Sequence, residues 1–193
     1  MIIALYLVTC YLAGSVLTAW FVGKWKGGDL RAERSGNLGA RNAGTVLGKG
    51  AFLLTFLGDG GKGALIILLG RWLDLSPLWV SLGFLFAILG HLYPFWLKGK
   101  GGKGIATFVG ASLAFNPFAF AYLAVVFLIL FAILRSATLS MNIAFLVYPI
   151  YFLWIGKIDL FLIFSLIVGI ILWRHYFDTQ DSWNERWWRK KSS

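Results

Sequence analysis

Charge is scarce in this 193-residue chain: 13% of its residues are Asp, Glu, Lys or Arg, about half the fraction usual in a soluble domain. Acidic side chains are scarcest, eight against 18 Lys and Arg, and there is a single cysteine, Cys10, inside an apolar stretch. A lone cysteine excludes a disulfide framework and a cysteine metal site. Low charge, with 59% hydrophobic residues and a mean hydropathy of +0.77, excludes an ordinary water-soluble globule. The sequence also lacks a nucleophile elbow, a zinc-ligand spacing, a Walker nucleotide loop and a repeated module. No metal is therefore expected, and any chemistry must come from placing anions. A net charge of +10 would suggest nucleic acid in a soluble protein. Here the basic residues lie in short segments between apolar runs, so membrane orientation and anionic ligands account for them, and no nucleic-acid partner is expected.

What is abundant is apolar sequence. Runs at 2–22, 51–69, 78–97, 105–115, 118–134, 139–154 and 158–173 predict an all-α, polytopic membrane protein, since a helix needs ~20 apolar residues to cross the hydrocarbon. About seven transmembrane helices are expected, in one domain over 1–193. The run at 105–115 is short, stopping before Asn116 and Pro117, and reads as a re-entrant segment or a half-span. The N-terminus lacks a basic region and a clear cleavage site, so the first run is read as a retained span.

Loop charge sets the expected orientation. One side collects Lys24, Lys26, Arg31, Arg34, Arg41, Lys49, Lys98, Lys100, Lys103, Arg135, Arg174 and the four basic residues of 186–191. The other has Arg71 and Lys157. The positive-inside rule places the N-terminus outside and the C-terminus in the cytoplasm. Trp20, Trp25, Trp72, Trp79, Trp96, Trp154 and Trp173 fall near run ends, as interfacial tryptophans do. In 174–193, Trp183, Trp187 and Trp188 interleave with Arg186, Arg189, Lys190 and Lys191, which reads as an amphipathic, interfacial tail on an anionic leaflet.

Of 23 glycines, 16 lie within 23–63 and 99–104, together with Lys, Arg, Ser and Asn, a combination that describes a site rather than helix packing. Residues 35–48 place Ser35, Asn37, Gly39, Arg41, Asn42 and Thr45 together. Glycine lets backbone N–H groups line a concave anion site, and an Arg adds a forked, permanent charge. A solvated basic loop is the alternative. Residues 98–104 run into Ile105-Ala106-Thr107, so Lys103 and the last N–H groups would face one anion at a helix start. A positive-inside anchor is the alternative. Asp59 and Lys62 lie three apart inside the second run, which favours a structural ion pair over substrate contact. His91 is either a satisfied core histidine or a ligand contact, and His175 with Asp178 could serve in acid–base chemistry.

In order and spacing these residues resemble the bacterial acyl-phosphate-dependent glycerol-3-phosphate acyltransferases, the PlsY family. The carriers are Gly14-Ser15, residues 35–48, Asp59 with Lys62-Gly63, Gly90-His91 with Pro94, and Gly101-Gly102-Lys103-Gly104 with Ala106-Thr107. The resemblance implies a seven-helix enzyme of the bacterial cell membrane whose active site faces the cytoplasm. It would move a fatty acyl group from acyl phosphate to the sn-1 hydroxyl of glycerol 3-phosphate, giving lysophosphatidic acid and phosphate without a cofactor. Membrane lipids are its other implied partners. By the family's motifs Ser35, Asn37, Gly39 and Asn42 shape the polar pocket. Lys103 and the amides of Gly101, Gly102 and Gly104 bind phosphate, with Thr45 and Thr107 in the same set; Arg135 and Thr138 fall in a further match. Ser35, Arg41, Lys103 and His175 are the expected catalytic residues.

Two departures stand out. The family has an Arg three residues after its second Asn, where this chain has Thr45, while Arg41 stands where Thr is usual. In the C-terminal motif His175 is followed by Tyr176 in place of Arg, and Asp178 replaces Asn. These departures keep open a weakened relative that binds phosphate or phospholipid without turnover. A small organic-anion transporter is a third possibility, although no convincing internal repeat supports it.

Overall fold

The structure, a computed structural model, describes residues 1–184, and among these there are helices and connecting segments and no strand. Arg186, Trp187, Trp188, Arg189, Lys190 and Lys191 of the expected interfacial tail lie outside the described residues. The chain divides into two compact units, the first Met1–Pro117 and the second beginning at Phe118. Among the described residues, five helical segments are long and apolar enough to cross a membrane: Ile2–Trp25, Lys49–Trp72, Pro77–Leu97, Pro117–Leu134 and Ala137–Trp154. Two of the seven expected crossings are shorter, Ile105–Phe115 with 11 residues and Ile158–Arg174 with 17.

The first unit comprises α1 (Ile2–Ser15), α2 (Thr18–Trp25), α3 (Ala40–Leu47), α4 (Lys49–Trp72), α5 (Pro77–Leu92), a short 3-10 turn at Phe95–Leu97 and α6 (Ile105–Phe115). Pro77 opens α5, where its missing N–H costs nothing. The apolar run at 2–22 is not one helix, because Val16 and Leu17 are extended and separate α1 from α2. Conversely, α4 passes uninterrupted through the Gly58–Gly63 stretch.

That stretch corrects the reading of its glycines as site-forming: they let helices touch. Any Cβ on Gly58 would overlap Thr18, one on Gly63 the Thr107 carbonyl, and one on Gly110 the Gly60 carbonyl. Small residues of this kind let membrane helices approach backbone to backbone. Contacts from Gly60 to Ala106, from Gly63 to Thr107 and from Arg71 to Phe115 make α4 and α6 run side by side in the same direction. Because α6 starts beside the middle of α4 and is only 11 residues long, it covers roughly half the ~30 Å hydrocarbon thickness at 1.5 Å per residue. Its C-terminal end is capped by Arg71, whose Nη2 donates to the Phe115 carbonyl at 2.7 Å.

The second unit holds α7 (Pro117–Leu134, which starts at the boundary), α8 (Ala137–Trp154), α9 (Ile158–Arg174) and α10 (Tyr176–Asn184). Its core is aromatic: Phe164 of α9 meets Tyr148 edge-on at 5.1 Å and stacks on Phe152 at 4.7 Å. Ser136 caps α8 by accepting from the Leu139 N–H at 3.4 Å. α10 is fastened to α8 by the Asn142 amide, which donates to Thr179 Oγ1 at 2.5 Å.

Candidate active site

The first glycine-rich segment is held from below by apolar side chains. Leu30 and Leu38 from the loop and Ala43 from α3 are buried in one cluster with Leu17, Ala19, Val22, Ala51 and Leu97. Helix α3 was not anticipated; Gly39 at its N-cap is extended and lies against the Asn37 amide, which a side chain there would have to displace. Asn42 is 4% exposed and spends its amide N–H groups on the Leu30 carbonyl at 3.1 Å and the Glu33 carbonyl at 3.3 Å. It therefore shapes the loop from inside.

Ser35, Arg41 and Thr45 are exposed on the other side of the same segment. Thr45 Oγ1 donates to the Arg41 carbonyl at 2.8 Å, and residues four apart share a helix face, so Arg41 and Thr45 stand one turn apart on the exposed face of α3. The nearby Asp29 would oppose an anion, but it is committed. Hydrogen bonds from the side chain and backbone N–H of Arg31, whose Nη2 is 2.6 Å from Asp29 Oδ2, together with its charge, hold the carboxyl down at about 2.

The second glycine segment turns inward after its exposed Lys98 and Lys100: Gly101, Gly102 and Gly104 are inside, and Lys103 is half-buried. The Gly101 N–H donates to the Leu92 carbonyl at 3.1 Å and the Gly102 N–H to the His91 carbonyl at 3.0 Å. Those two amides, expected to face phosphate, thus brace the loop against the end of α5. Gly104 takes φ +83° as the N-cap of α6, a conformation that favours glycine. The N–H groups of the first turn of α6 have no carbonyl of their own helix to bind, and a helix start of this kind, preceded by Lys103, is suited to an anion. Thr107 is fully buried, with Oγ1 3.3 Å from His91 Nδ1, so it faces the interior.

The two segments meet. Gly102 is wedged between His91 Nε2 and the Leu38 carbonyl, so that a Cβ there would overlap both. Behind this junction lies the ion pair, Lys62 Nζ to Asp59 Oδ1 at 3.0 Å, and Lys62 also reaches His91 Nδ1 at 2.9 Å. The central position of His91 was the least legible part of the site. Its sequence signals were its place in the Gly90-His91 and Pro94 match and its position inside an apolar span, where ionisable groups are costly unless partnered.

Arg135, Thr138 and His175 belong to the second unit. Arg135 is exposed with φ +48°, immediately before the Ser136 cap; Thr138 and His175 are buried. His175 Nδ1 lies 3.5 Å from Asp178 Oδ2, so the acid that replaces Asn in the C-terminal motif is turned to the histidine.

Fold and site together define an all-helical integral membrane protein that brings two glycine-rich segments together beside cationic donors. A family profile described as glycerol-3-phosphate acyltransferase matches residues 4–185. The chain belongs to that family and is an acyltransferase. It is 48% identical over 135 residues to a glycerol-3-phosphate acyltransferase 1 of Bacillus cereus, covering 69% of this chain and 74% of that protein. A glycerol-3-phosphate acyltransferase of Pseudomonas aeruginosa is 37% identical over 179 residues, 90% of this chain and 92% of that one. Among solved structures, PlsY, an integral membrane glycerol 3-phosphate acyltransferase, in its glycerol 3-phosphate form superposes with a TM-score of 0.88 at 28% identity, covering 100% of this chain and 97% of that one. Its lysophosphatidic acid form gives a TM-score of 0.85 at 27% identity, with the same coverage.

Proposed function

We propose that this protein transfers a fatty acyl group from acyl phosphate to the sn-1 hydroxyl of glycerol 3-phosphate, at the cytoplasmic face of a bacterial membrane crossed about seven times with the N-terminus outside. The observation that carries the reading is the junction of the two glycine segments at Leu38 and Gly102. It brings the segment bearing Ser35 and Arg41 against the one that ends in Lys103 and the α6 N-terminus. Acyl phosphate is already activated, so the protein's work is orientation and stabilisation of the departing phosphate. The hydroxyl oxygen of glycerol 3-phosphate attacks the acyl carbonyl carbon. The bond from that carbon to the bridging oxygen breaks, and the hydroxyl proton passes to the leaving phosphate, giving lysophosphatidic acid and inorganic phosphate.

In this scheme Lys103 and the first turn of α6 hold the leaving phosphate, while Ser35, Asn37 and Arg41 receive glycerol 3-phosphate. The shared face of Arg41 and Thr45 favours Arg41 as the carrier of the charge that the family places at position 45. Substrate phosphate, rather than His175, acts as the base. Purified protein given acyl phosphate and labelled glycerol 3-phosphate is expected to form lysophosphatidic acid and release phosphate in equal amounts. No product above an empty-membrane control would overturn the proposal. Binding of glycerol 3-phosphate without turnover would select the weakened relative instead.

A further inference from the structure

The first membrane helix is broken at Val16 and Leu17, which leaves carbonyls at the end of α1 and an N–H at the start of α2 without helical partners. Such groups are costly in a bilayer unless side chains meet them. Three side chains from other helices do so. Trp96 Nε1 donates to the Ser15 carbonyl at 3.0 Å, and Lys62 Nζ donates to the Val16 carbonyl at 2.5 Å. Asp59 Oδ1 accepts from the Thr18 N–H at 3.3 Å and from its hydroxyl at 3.1 Å. The signs match the helix ends: an anion sits at the N-terminus of α2 and a cation at the C-terminus of α1.

Lys62 has three N–H groups and three acceptors for them: the Val16 carbonyl, Asp59 Oδ1 at 3.0 Å and His91 Nδ1 at 2.9 Å. Since a lysine can only donate, Nδ1 of His91 must accept, and the ring proton is placed on Nε2. That nitrogen is the one lying against Gly102, at the point where Leu38 closes on it. The main chain of His91 completes the grip by accepting the Gly102 N–H at 3.0 Å.

We infer that His91 is a positioning residue for acyl transfer. Lys62 sets its tautomer, and its Nε2–H edge seats Gly102, tying the break in the first helix to the segment that carries Lys103. Asp59 and Lys62 act through His91 and do not touch substrate. The inference deepens the acyl-transfer reading and rests on it for its kinetic test alone.

Two measurements on the full chain in lipid nanodiscs test it. The chain has two histidines, His91 and His175, so nitrogen-15 NMR of labelled histidine, with His91→Gln to identify the signal, reads the His91 tautomer directly. A neutral ring protonated on Nε2, lost as the single form in Lys62→Met, is the expected result. A ring protonated on Nδ1, or a tautomer indifferent to Lys62→Met, overturns the inference. In the transfer assay, Gln reaches the Nε2 position and Asn only the Nδ1 position. His91→Asn is therefore expected to lose at least about tenfold in kcat relative to His91→Gln, at similar thermal stability and with little change in KM. Equal activities, or equal losses, overturn the seating role. The expected tautomer in a protein without acyl transfer would support the Lys62 lock while overturning the functional reading.

Discussion

The two glycine-rich segments share a composition and use it in opposite ways. In 35–48 glycine accompanies exposed Ser35, Arg41 and Thr45, above a floor of Leu30, Leu38 and Ala43, so the segment presents side chains. In 98–104 Gly101 and Gly102 are buried where no side chain fits and their N–H groups are bound to the end of α5, so this part of the segment, leading to the half-buried Lys103, is fixed by its backbone. In the proposed reaction the first offers its side chains to substrate. The other is built to stay in place.

That contrast is broken most sharply at the lysine. Lys103→Ala removes a point charge from the proposed leaving phosphate; losing a desolvated charged contact costs about 2–5 kcal/mol, so kcat/KM should fall by at least ~30-fold in a protein that still folds. Unchanged turnover would remove Lys103 from the reaction. Next come the glycines themselves. Gly102→Ala meets His91 and the Leu38 carbonyl at once, an overpacking worth about 1–3 kcal/mol, and activity should drop by more than about tenfold. Gly39→Ala meets only the Asn37 amide, which can turn aside, so thermal stability should stay near the parent's and the loss should be confined to a several-fold rise in KM for glycerol 3-phosphate, which Asn37 is proposed to receive. Thermal melts beside rate assays check both, and equal effects would erase the distinction between a rigid and an adaptable segment. The smallest change is expected from Thr45→Arg. Arg41 already occupies that face one turn earlier, so the added charge should alter KM for glycerol 3-phosphate by no more than a few-fold. A large gain in kcat would identify this chain as a weakened member of its family.

The apolar runs read from the sequence return as helices, and 105–115 coincides with α6, because a bilayer forces the backbone to satisfy itself within each apolar stretch. The break at Val16–Leu17 was hidden for the same reason. Gly14-Ser15-Val16-Leu17 is apolar and small, and carries no proline to announce an interruption that depends on partners 40 or more residues away. Helix α3 was obscured by its glycines at 39, 44 and 48, which read as loop composition although its buried Ala43 packs into a hydrophobic cluster. Among the expected site residues, the exposed Ser35 and Arg41 stand where a substrate can meet them. The polar side chains of Asn42 and Thr107 turned out to face inward, a distinction that residue type does not carry.

Composition, hydropathy and loop charge were enough to determine a helical membrane protein with cationic, glycine-rich segments between its apolar runs, since those properties follow from local sequence and the cost of charge in lipid. Only the tertiary structure decided that Gly58, Gly60 and Gly63 serve helix packing, that Lys62 spends its donors on a broken helix and a histidine, and that Gly102 joins the two segments. Each depends on which backbone atom approaches from a distant part of the chain, and such approaches are settled by packing in three dimensions rather than by neighbours in sequence.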